Sequence, residues 1–318
     1  MVELGYKLSS EDTNPLDLVR YAKMAEEAGF SFAMTSDHFH PWTNNQNESP
    51  FVWCTMGGVS QATKYLKVGT AVTCPTIRNN PAIIAQAAAT AAYMMPGRFM
   101  LGLGSGENLN EHILGDLWPP AGKRIEMLEE ALKIIRMLWQ GGMQNFHGDY
   151  YKIENACIYT LPDELPPIFM ATDGKKSARI AGKLADGLIT PGIKKDLVNI
   201  FNKSGGKGKP CYAEASVCWA ENKEEAIRIA YRFWPIIANK GGINWELYSP
   251  KYFEALAEML DPEMEISGIT NGNNPQDHIE KIYKFIKAGY DHVFIHQLGP
   301  HQKEFLDFYK KHVLPEFL

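Results

Sequence analysis

The chain has 318 residues, 45% of them apolar and 22% charged, with 32 basic against 37 acidic side chains and a formal net charge of −5. That apolar share with so small a net charge excludes a disordered chain. The mild acidic excess speaks against a nucleic-acid surface or a basic, membrane-hugging face.

Periodicity gives a strand-then-helix alternation that persists to the end. Leu4–Ser9 reads as the first strand and Pro15–Ala28 as its helix, stopped at Gly29. Phe32–Ser36 is the second strand, followed by a polar loop and a helix over Phe51–Ala62. Lys67–Cys74 alternates as a third strand, and Pro81 opens the Ala-rich helix Ala82–Met95 from its favoured first position. Phe99–Leu103 is the fourth strand. In the helix Lys123–Gln140, Ile125, Leu128, Leu132, Ile135 and Leu138 share one face.

Phe146–Ile158 breaks the rhythm and reads as an inserted hairpin. Ile168–Ala171 with Ser177–Ala185, Leu188–Thr190 with Lys195–Asn202, and Tyr212–Trp219 with Glu224–Phe233 are the fifth to seventh pairs. An irregular, partly helical stretch over 240–270 precedes helix Asp277–Ala288, strand His292–Gln297 and helix Gln302–Val313. Eight strands alternating with helices argue for a parallel sheet, and at this length favour a closed (β/α)8 TIM barrel; an open doubly wound sheet is the runner-up. No segment reads as a linker. The expectation is one domain over 1–318, with excursions near 141–166 and 240–270.

Five scattered cysteines without a Cys-x-x-Cys read as reduced thiols in a cytoplasm. Met1–Asn14 lacks the basic start and apolar stretch of a secretory signal. The most apolar region, Ala82–Leu103, is interrupted by Gln86, Pro96, Gly97 and Arg98, which suits a helix, a turn and a strand better than a membrane span.

In such barrels the reactive groups follow the strands. The second strand leads into Asp37-His38-Phe39-His40-Pro41-Trp42, the third into Thr73-Cys74-Pro75, the fourth into Gly104-Ser105-Gly106-Glu107-Asn108-Leu109-Asn110, and the fifth into Thr172-Asp173-Gly174-Lys175-Lys176-Ser177. His38 and His40 invite a metal, yet the fifth and sixth strands end in Thr172 and Thr190, so no ligand set completes and no metal is expected. Gly102-x-Gly104-x-Gly106 lacks the spacing of a dinucleotide fingerprint, and Gly174-Lys175-Lys176-Ser177 is no Walker motif. The latter still sets backbone amides, a hydroxyl and two cations at a helix start, where a phosphodiester would be stabilised. An imidazole, an indole, a carboxylic acid and this helix start suit redox chemistry on a bound, phosphate-bearing organic cofactor.

Ser36-Asp37-His38-Phe39-His40-Pro41-Trp42, Gly69-Thr70-Ala71-Val72, Gly104-Ser105-Gly106-Glu107-Asn108-Leu109-Asn110-Glu111 and Ile295-His296-Gln297-Leu298-Gly299-Pro300 together resemble the coenzyme F420-dependent glucose-6-phosphate-dehydrogenase-like family. That family belongs to the bacterial-luciferase-like barrels and includes a deazaflavin-dependent secondary alcohol dehydrogenase. The resemblance implies hydride transfer between an alcohol and the deazaflavin C5. It makes His38 the group handling the alcohol proton, Trp42 the indole beside the substrate, and Glu107 the carboxylate near the ring's N1 edge. It makes Asp37 a ring contact and Ala71–Val72 the wall behind the ring, where the family has a non-proline cis peptide. Ser105, Gly106 and Asn110 match contacts along the cofactor, Cys74 is counted with them, and Asp173, Gly174, Lys176 and Ser177 match its phosphate-holding turn. A small-molecule alcohol or carbonyl substrate and a homodimer are implied, with no nucleic-acid or membrane partner. FMN in place of F420, in a luciferase-like monooxygenase or reductase, is the alternative, as is a non-catalytic deazaflavin-binding protein.

The sequence departs from the family at the sugar phosphate. Thr190 is kept, but Ile193 stands at the position of a phosphate-binding lysine, with Lys194 one residue on, and no lysine or arginine lies between Tyr252 and His278. A phosphomonoester would be poorly compensated there. A smaller, uncharged alcohol is the better expectation, with Thr190 and Lys194 on the substrate side.

Overall fold

Several helices begin where the sequence supplies a side-chain cap. Asn14 accepts from the amides of Leu16 and Asp17 to start Pro15–Ala28, and Asn274 accepts from that of Gln276 to start Pro275–Ala288. Proline occupies the first turn of both, and each ends at a left-handed glycine, Gly29 and Gly289. The computed structural model describes residues 2–238, 242–259 and 268–318.

Eight parallel strands close on themselves: β1 (Glu3–Leu8), β2 (Phe32–Thr35), β3 (Lys67–Thr70), β4 (Phe99–Leu103), β5 (Ile168–Ala171), β6 (Gly187–Thr190), β7 (Cys211–Cys218) and β8 (His292–Gln297). Neighbours pair in chain order, and the β8–β1 ladder closes the ring, with Leu4 opposite Val293 and Tyr6 opposite Ile295. This is the (β/α)8 barrel expected from the alternation. Thr270–Asn271 adds a short parallel strand on β7, and Gln144–His147 with Lys152–Ala156 forms the separate antiparallel hairpin expected after the fourth helix.

The outward strand residues pack beneath the helices, with Leu4, Leu101, Ile168, Ala213 and Ile295 meeting Ile84, Leu128, Ile135 and Phe305. The barrel interior is a second cluster of Phe32, Met34, Met100, Phe169, Ile189, Tyr212 and Phe294. Because side chains alternate along a strand, the positions two residues on face inward above this apolar plug. There β7 presents Glu214, β8 presents His296 and β1 presents Lys7. The interior therefore changes from apolar to charged toward the C-terminal ends of the strands.

Two differences from the sequence reading, together with the late excursion that it expected to be partly helical, bear on the site. β3 stops at Thr70 instead of running to Cys74, because Ala71–Val72 is a cis peptide and the chain regains the sheet only at a bridge between Thr73 and Leu103. A short helix, Asn108–Glu111, follows β4. Within the late excursion, helices form at Ile243–Glu246 and Pro250–Ala257; its residues 260–267 lie outside the described structure. Among the described residues, no helix is long and apolar enough to cross a membrane.

Candidate active site

The loop after β2 brings His38 to the barrel mouth. Its Nδ1 lies 3.1 Å from the His40 carbonyl, which can only accept, so Nδ1 is the donor there and Nε2 is left facing the site. Nε2 faces two carboxylates, Glu107 Oε2 at 3.3 Å and Glu11 Oε1 at 3.5 Å. Glu11 is further fixed by hydroxyl donors, Ser36 at 2.6 Å and Ser9 at 3.0 Å.

The two acids are driven apart by their surroundings. Burial raises Glu107, Glu11 adds to the rise, and the attraction of His38 offsets only part of it. Burial also pushes Glu11 upward, but His38, Lys7 and the Ser36 hydroxyl outweigh it and hold the group below the usual carboxylate range. The arrangement thus pairs an ionised carboxylate with one that retains a proton more readily, on either side of one imidazole nitrogen.

Beneath them lies a second charged group. Lys7 donates to the Ala71 carbonyl at 3.1 Å and pairs with Glu214 Oε2 at 3.3 Å. Glu214 Oε1 accepts from His296 Nδ1 at 2.9 Å. Burial opposes the charge on Glu214, yet Lys7 and His296 draw its pKa down to about 2. Asp12, next to Glu11, moves the other way: burial lifts it to about 6 against the pull of His296.

A third group welds the loops after β2, β3 and β4. Asp37 Oδ1 accepts from Arg78 at 2.9 Å and Oδ2 from the Thr73 hydroxyl at 2.8 Å, and its side chain is fully inaccessible. Arg78 also reaches the Asp37 carbonyl at 3.3 Å, and its amide donates to Glu111 at 2.7 Å. Burial lifts Glu111 to about 7, with the Arg78 amide and guanidinium only partly restraining it. Asn110 ties the same loops together: its Oδ1 accepts from the amides of Phe39 (2.9 Å) and His40 (3.2 Å) while its amide donates to Glu107 at 3.0 Å. Asp37 and Asn110 therefore hold this mouth in shape through contacts within the protein.

Cys74 lies 3.0 Å from the Thr76 hydroxyl, and burial pushes its thiol well up. Gly106, next to Ser105, has φ +82°, and a Cβ there would stand 2.6 Å from Cys74 Sγ. A Cβ on Gly104 would meet Val72 Cγ2 at 2.5 Å. These glycines let the β4 loop lie directly against the Ala71–Val72 wall.

Aromatic rings form the far side. Trp42 sits 5.1 Å from His38, meets Phe253 edge-on at 5.3 Å and Trp234 at 6.3 Å, and Trp234 meets His296 edge-on at 4.7 Å. Phe253 is brought in by the late excursion, which is latched by Glu254 on Asn44 (2.7 and 3.0 Å) and by Glu246 on Arg124 at 3.2 Å.

The expected phosphate turn is a helix start. Gly174 caps Lys175–Leu184 without a side-chain hydrogen bond, and the Ser177 hydroxyl donates back to the Gly174 carbonyl at 2.9 Å. Lys176 leans away to Glu126 at 2.7 Å, and Asp173 pairs with Lys194 at 2.9 Å. Thr190 Oγ1 is buried, 2.7 Å from both the Gly192 carbonyl and the Tyr290 hydroxyl. The structure thus gathers His38, Trp42, Glu107 and Asn110 at one point, Ala71, Val72, Cys74 and Gly106 along an adjoining wall, and Asp173, Gly174, Ser177 and Lys194 at the β5–β6 edge.

Sequence reasoning missed Glu11, Lys7, Glu214 and Arg78, and assigned His296 no role. The available signal was a lone charge inside an apolar strand, Lys7 in Gly-Tyr-Lys-Leu and Glu214 in Tyr-Ala-Glu-Ala.

The site fits a planar, phosphate-bearing ring cofactor. It offers the wall of Ala71–Val72 with Gly104 packed against it, a helix start whose amides lack a side-chain cap, and a buried His296 Nε2 with no hydrogen-bond partner.

The luciferase-like monooxygenase family model matches residues 3–292. The chain is 35% identical over 326 residues to the F420-dependent glucose-6-phosphate dehydrogenase of Nakamurella multipartita, covering 99% of this chain and 96% of that protein. It is 33% identical over 340 residues to the enzyme of that name from Mycolicibacterium smegmatis, covering 99% and 97%. Among solved structures, an F420-dependent secondary alcohol dehydrogenase in complex with an F420-acetone adduct superposes with a TM-score of 0.92 at 29% identity, covering 98% of each chain. The F420-dependent tetrahydromethanopterin reductase of Methanopyrus kandleri, 19% identical with a TM-score of 0.80 over 100% of this chain and 99% of its own, shares the fold.

Proposed function

The chain belongs to the luciferase-like monooxygenase family, and from that premise we propose that it is a coenzyme F420-dependent oxidoreductase acting on the CH–OH group of an alcohol. A bound deazaflavin would supply the hydride chemistry that interconverts an alcohol and a carbonyl. Everything else falls to the chain's own residues. His38 takes the hydroxyl proton on Nε2 as the carbinol carbon is oxidised, and returns it in the reverse direction. Glu11, held ionised, orients the imidazole and balances its charge. Glu107, whose hold on a proton is strengthened by burial, would face the ring's edge. Trp42 confines the alcohol against His38 and excludes water.

Ala71 and Val72 back the ring, while Ser105, Gly106 and Cys74 line its side. Asp37 and Asn110 serve the cofactor by fixing the loops that surround it. Gly174, Ser177 and Asp173 would form the phosphate end, with Lys176, expected there, turned away to Glu126 at 2.7 Å. Lys194 would close the substrate side at β6, while Thr190, expected beside it, is fully buried against Gly192 and Tyr290 and supports that loop from behind.

An uncharged secondary alcohol suits this pocket better than a sugar phosphate. Lys194 is already neutralised by Asp173 at 2.9 Å, Ile193 stands beside it, and the stretch from Tyr252 to His278 carries no cation. A dianion there would lack the charge-assisted partners it needs. The observation that carries the reading is His38 Nε2 between Glu107 and Glu11, at 3.3 and 3.5 Å. A single domain over the whole chain, a homodimer and residence in a reducing cytoplasm belong to the same reading; the five cysteines, all free, accord with the last. Titration of the purified protein with F420 and with FMN tests the cofactor: F420 should bind far more tightly, and preference for FMN would refute the assignment.

A further inference from the structure

The Ala71 carbonyl and the Glu214 carboxylate share one buried ammonium. Lys7 is 6% exposed, with Nζ 3.1 Å from Ala71 O and 3.3 Å from Glu214 Oε2. Lysine is almost never this buried without a reason, since removing its charge from water is costly. Stability alone is a poor reason, because apolar side chains of similar volume commonly replace a buried ion pair without loss. The barrel interior just below Lys7 is filled in that apolar way by Phe294, Met34 and Phe169.

What the ammonium touches is more specific. At the end of β3 the Ala71 amide still donates to Thr35 O at 2.7 Å, and the Thr73 amide donates to Gly102 O at 2.9 Å. Between these ladder bonds the chain leaves the sheet, and Lys7 supplies the donor for the Ala71 carbonyl. Glu214 and His296 in turn hold the lysine: the carboxylate binds Nζ from one oxygen and His296 Nδ1 from the other, at 2.9 Å. A chain of three inward side chains from β8, β7 and β1 therefore ends on one backbone carbonyl of the cofactor wall.

We propose that Lys7 is a positioning residue for the redox cofactor, fixing the Ala71–Val72 wall through the Ala71 carbonyl and placing an ammonium group behind it. This rests on the reading above, in which that wall backs the deazaflavin. A hydride brings an electron pair, and so negative charge, onto whatever accepts it. A fixed, preorganised cation behind the acceptor stabilises that charge without reorganisation. The same ammonium pulls Glu11, Glu107 and Glu214 toward their ionised forms, so its field reaches the acid–base side of the site as well.

The test compares native protein, Glu214→Gln, Lys7→Gln and the double variant Lys7→Met/Glu214→Gln. Each is melted without cofactor, titrated with F420 by fluorescence, and measured for the reduction potential of the bound F420. The double variant removes both charges together. It should melt near the native protein, bind F420 about tenfold more weakly and show a more negative potential. Glu214→Gln, which leaves the ammonium on the carbonyl but removes the negative charge 3.3 Å from it, should keep affinity close to native and make the potential more positive; a more negative potential in that variant overturns the charge role. Lys7→Gln, still able to donate to Ala71, should keep most of the affinity yet shift the potential; an unshifted potential in that variant overturns the charge role. Native affinity and potential in the double variant would reduce Lys7 to a counterion for Glu214 and overturn the proposal. Native protein that melts cooperatively but binds no F420 overturns the functional reading instead.

Discussion

His38 Nε2 and Glu107 Oε2 stand 3.3 Å apart, and Asn110 braces them from both sides, accepting from the amides of Phe39 and His40 and donating to Glu107. The imidazole rides on the loop after β2 and the carboxylate on the loop after β4. One amide side chain thus sets the distance between the imidazole and the carboxylate.

His38→Ala should still bind F420, since its ring touches the acids and Trp42 more than the cofactor wall, but lose turnover by about 10²–10⁴-fold, the usual worth of a general acid–base group. Steady-state oxidation of a secondary alcohol measures it. Turnover within a factor of two of native would remove His38 from the mechanism.

Asn110→Ala strips three hydrogen bonds from partly buried groups. Each loss of this kind costs about 1–3 kcal/mol where a buried group is left unpaired. The variant should melt several degrees lower and lose kcat more than KM, because the His38–Glu107 pair loosens while the aromatic wall persists. A kcat unchanged in a destabilised variant would show that the brace serves the fold alone.

Acid stability should depend on Glu214. Its folded pKa of about 2 lies below the ordinary carboxylate value, so the folded state releases a proton more readily than the unfolded one. The resulting stability is fully present above about pH 4.5 and is lost as pH falls toward 2. Glu111 has the opposite sign. Its folded pKa of about 7 lies above the unfolded value, so between roughly pH 4.5 and 7 the folded state keeps a proton that the unfolded state has released, and stability declines as pH rises. Chemical denaturation across pH should therefore find a shallower acid limb in Glu214→Gln and a flatter slope between pH 4.5 and 7 in Glu111→Gln. Parallel curves for native and variants would contradict both assignments.

Phe253 is fully buried against Trp42. Phe253→Ala should cost about 3–5 kcal/mol of stability where the site cannot collapse, raise KM for small secondary alcohols and admit bulkier ones. An unchanged ranking of alcohols by kcat/KM would show that the excursion does not shape the pocket.

Much of this was legible in the chain. The alternation of strands and helices, the helices Pro15–Ala28 and Asp277–Ala288 and the placing of His38, Trp42 and Glu107 after their strands all follow from periodicity and the barrel's directional rule. The end of β3 was not legible, because Lys67–Cys74 keeps its alternation straight through the turn at Ala71–Val72. Glu11, Lys7, Glu214 and Arg78 were missed for a different reason. Each is a single charge whose meaning depends on a partner on another strand or loop, and sequence spacing carries no record of which inward positions meet. Asp37 shows the same limit: its neighbour His38 marks it as a site residue, but only the fold shows its carboxylate committed to Arg78 and Thr73.

The most direct test of the central claim is the absorbance of oxidised F420 followed with purified protein against a panel of small secondary alcohols, with glucose 6-phosphate alongside. Bleaching with a secondary alcohol, abolished in His38→Ala and weak or absent with glucose 6-phosphate, is the expected result. Rapid bleaching with glucose 6-phosphate alone, or none with any alcohol by a protein that binds F420, would contradict it.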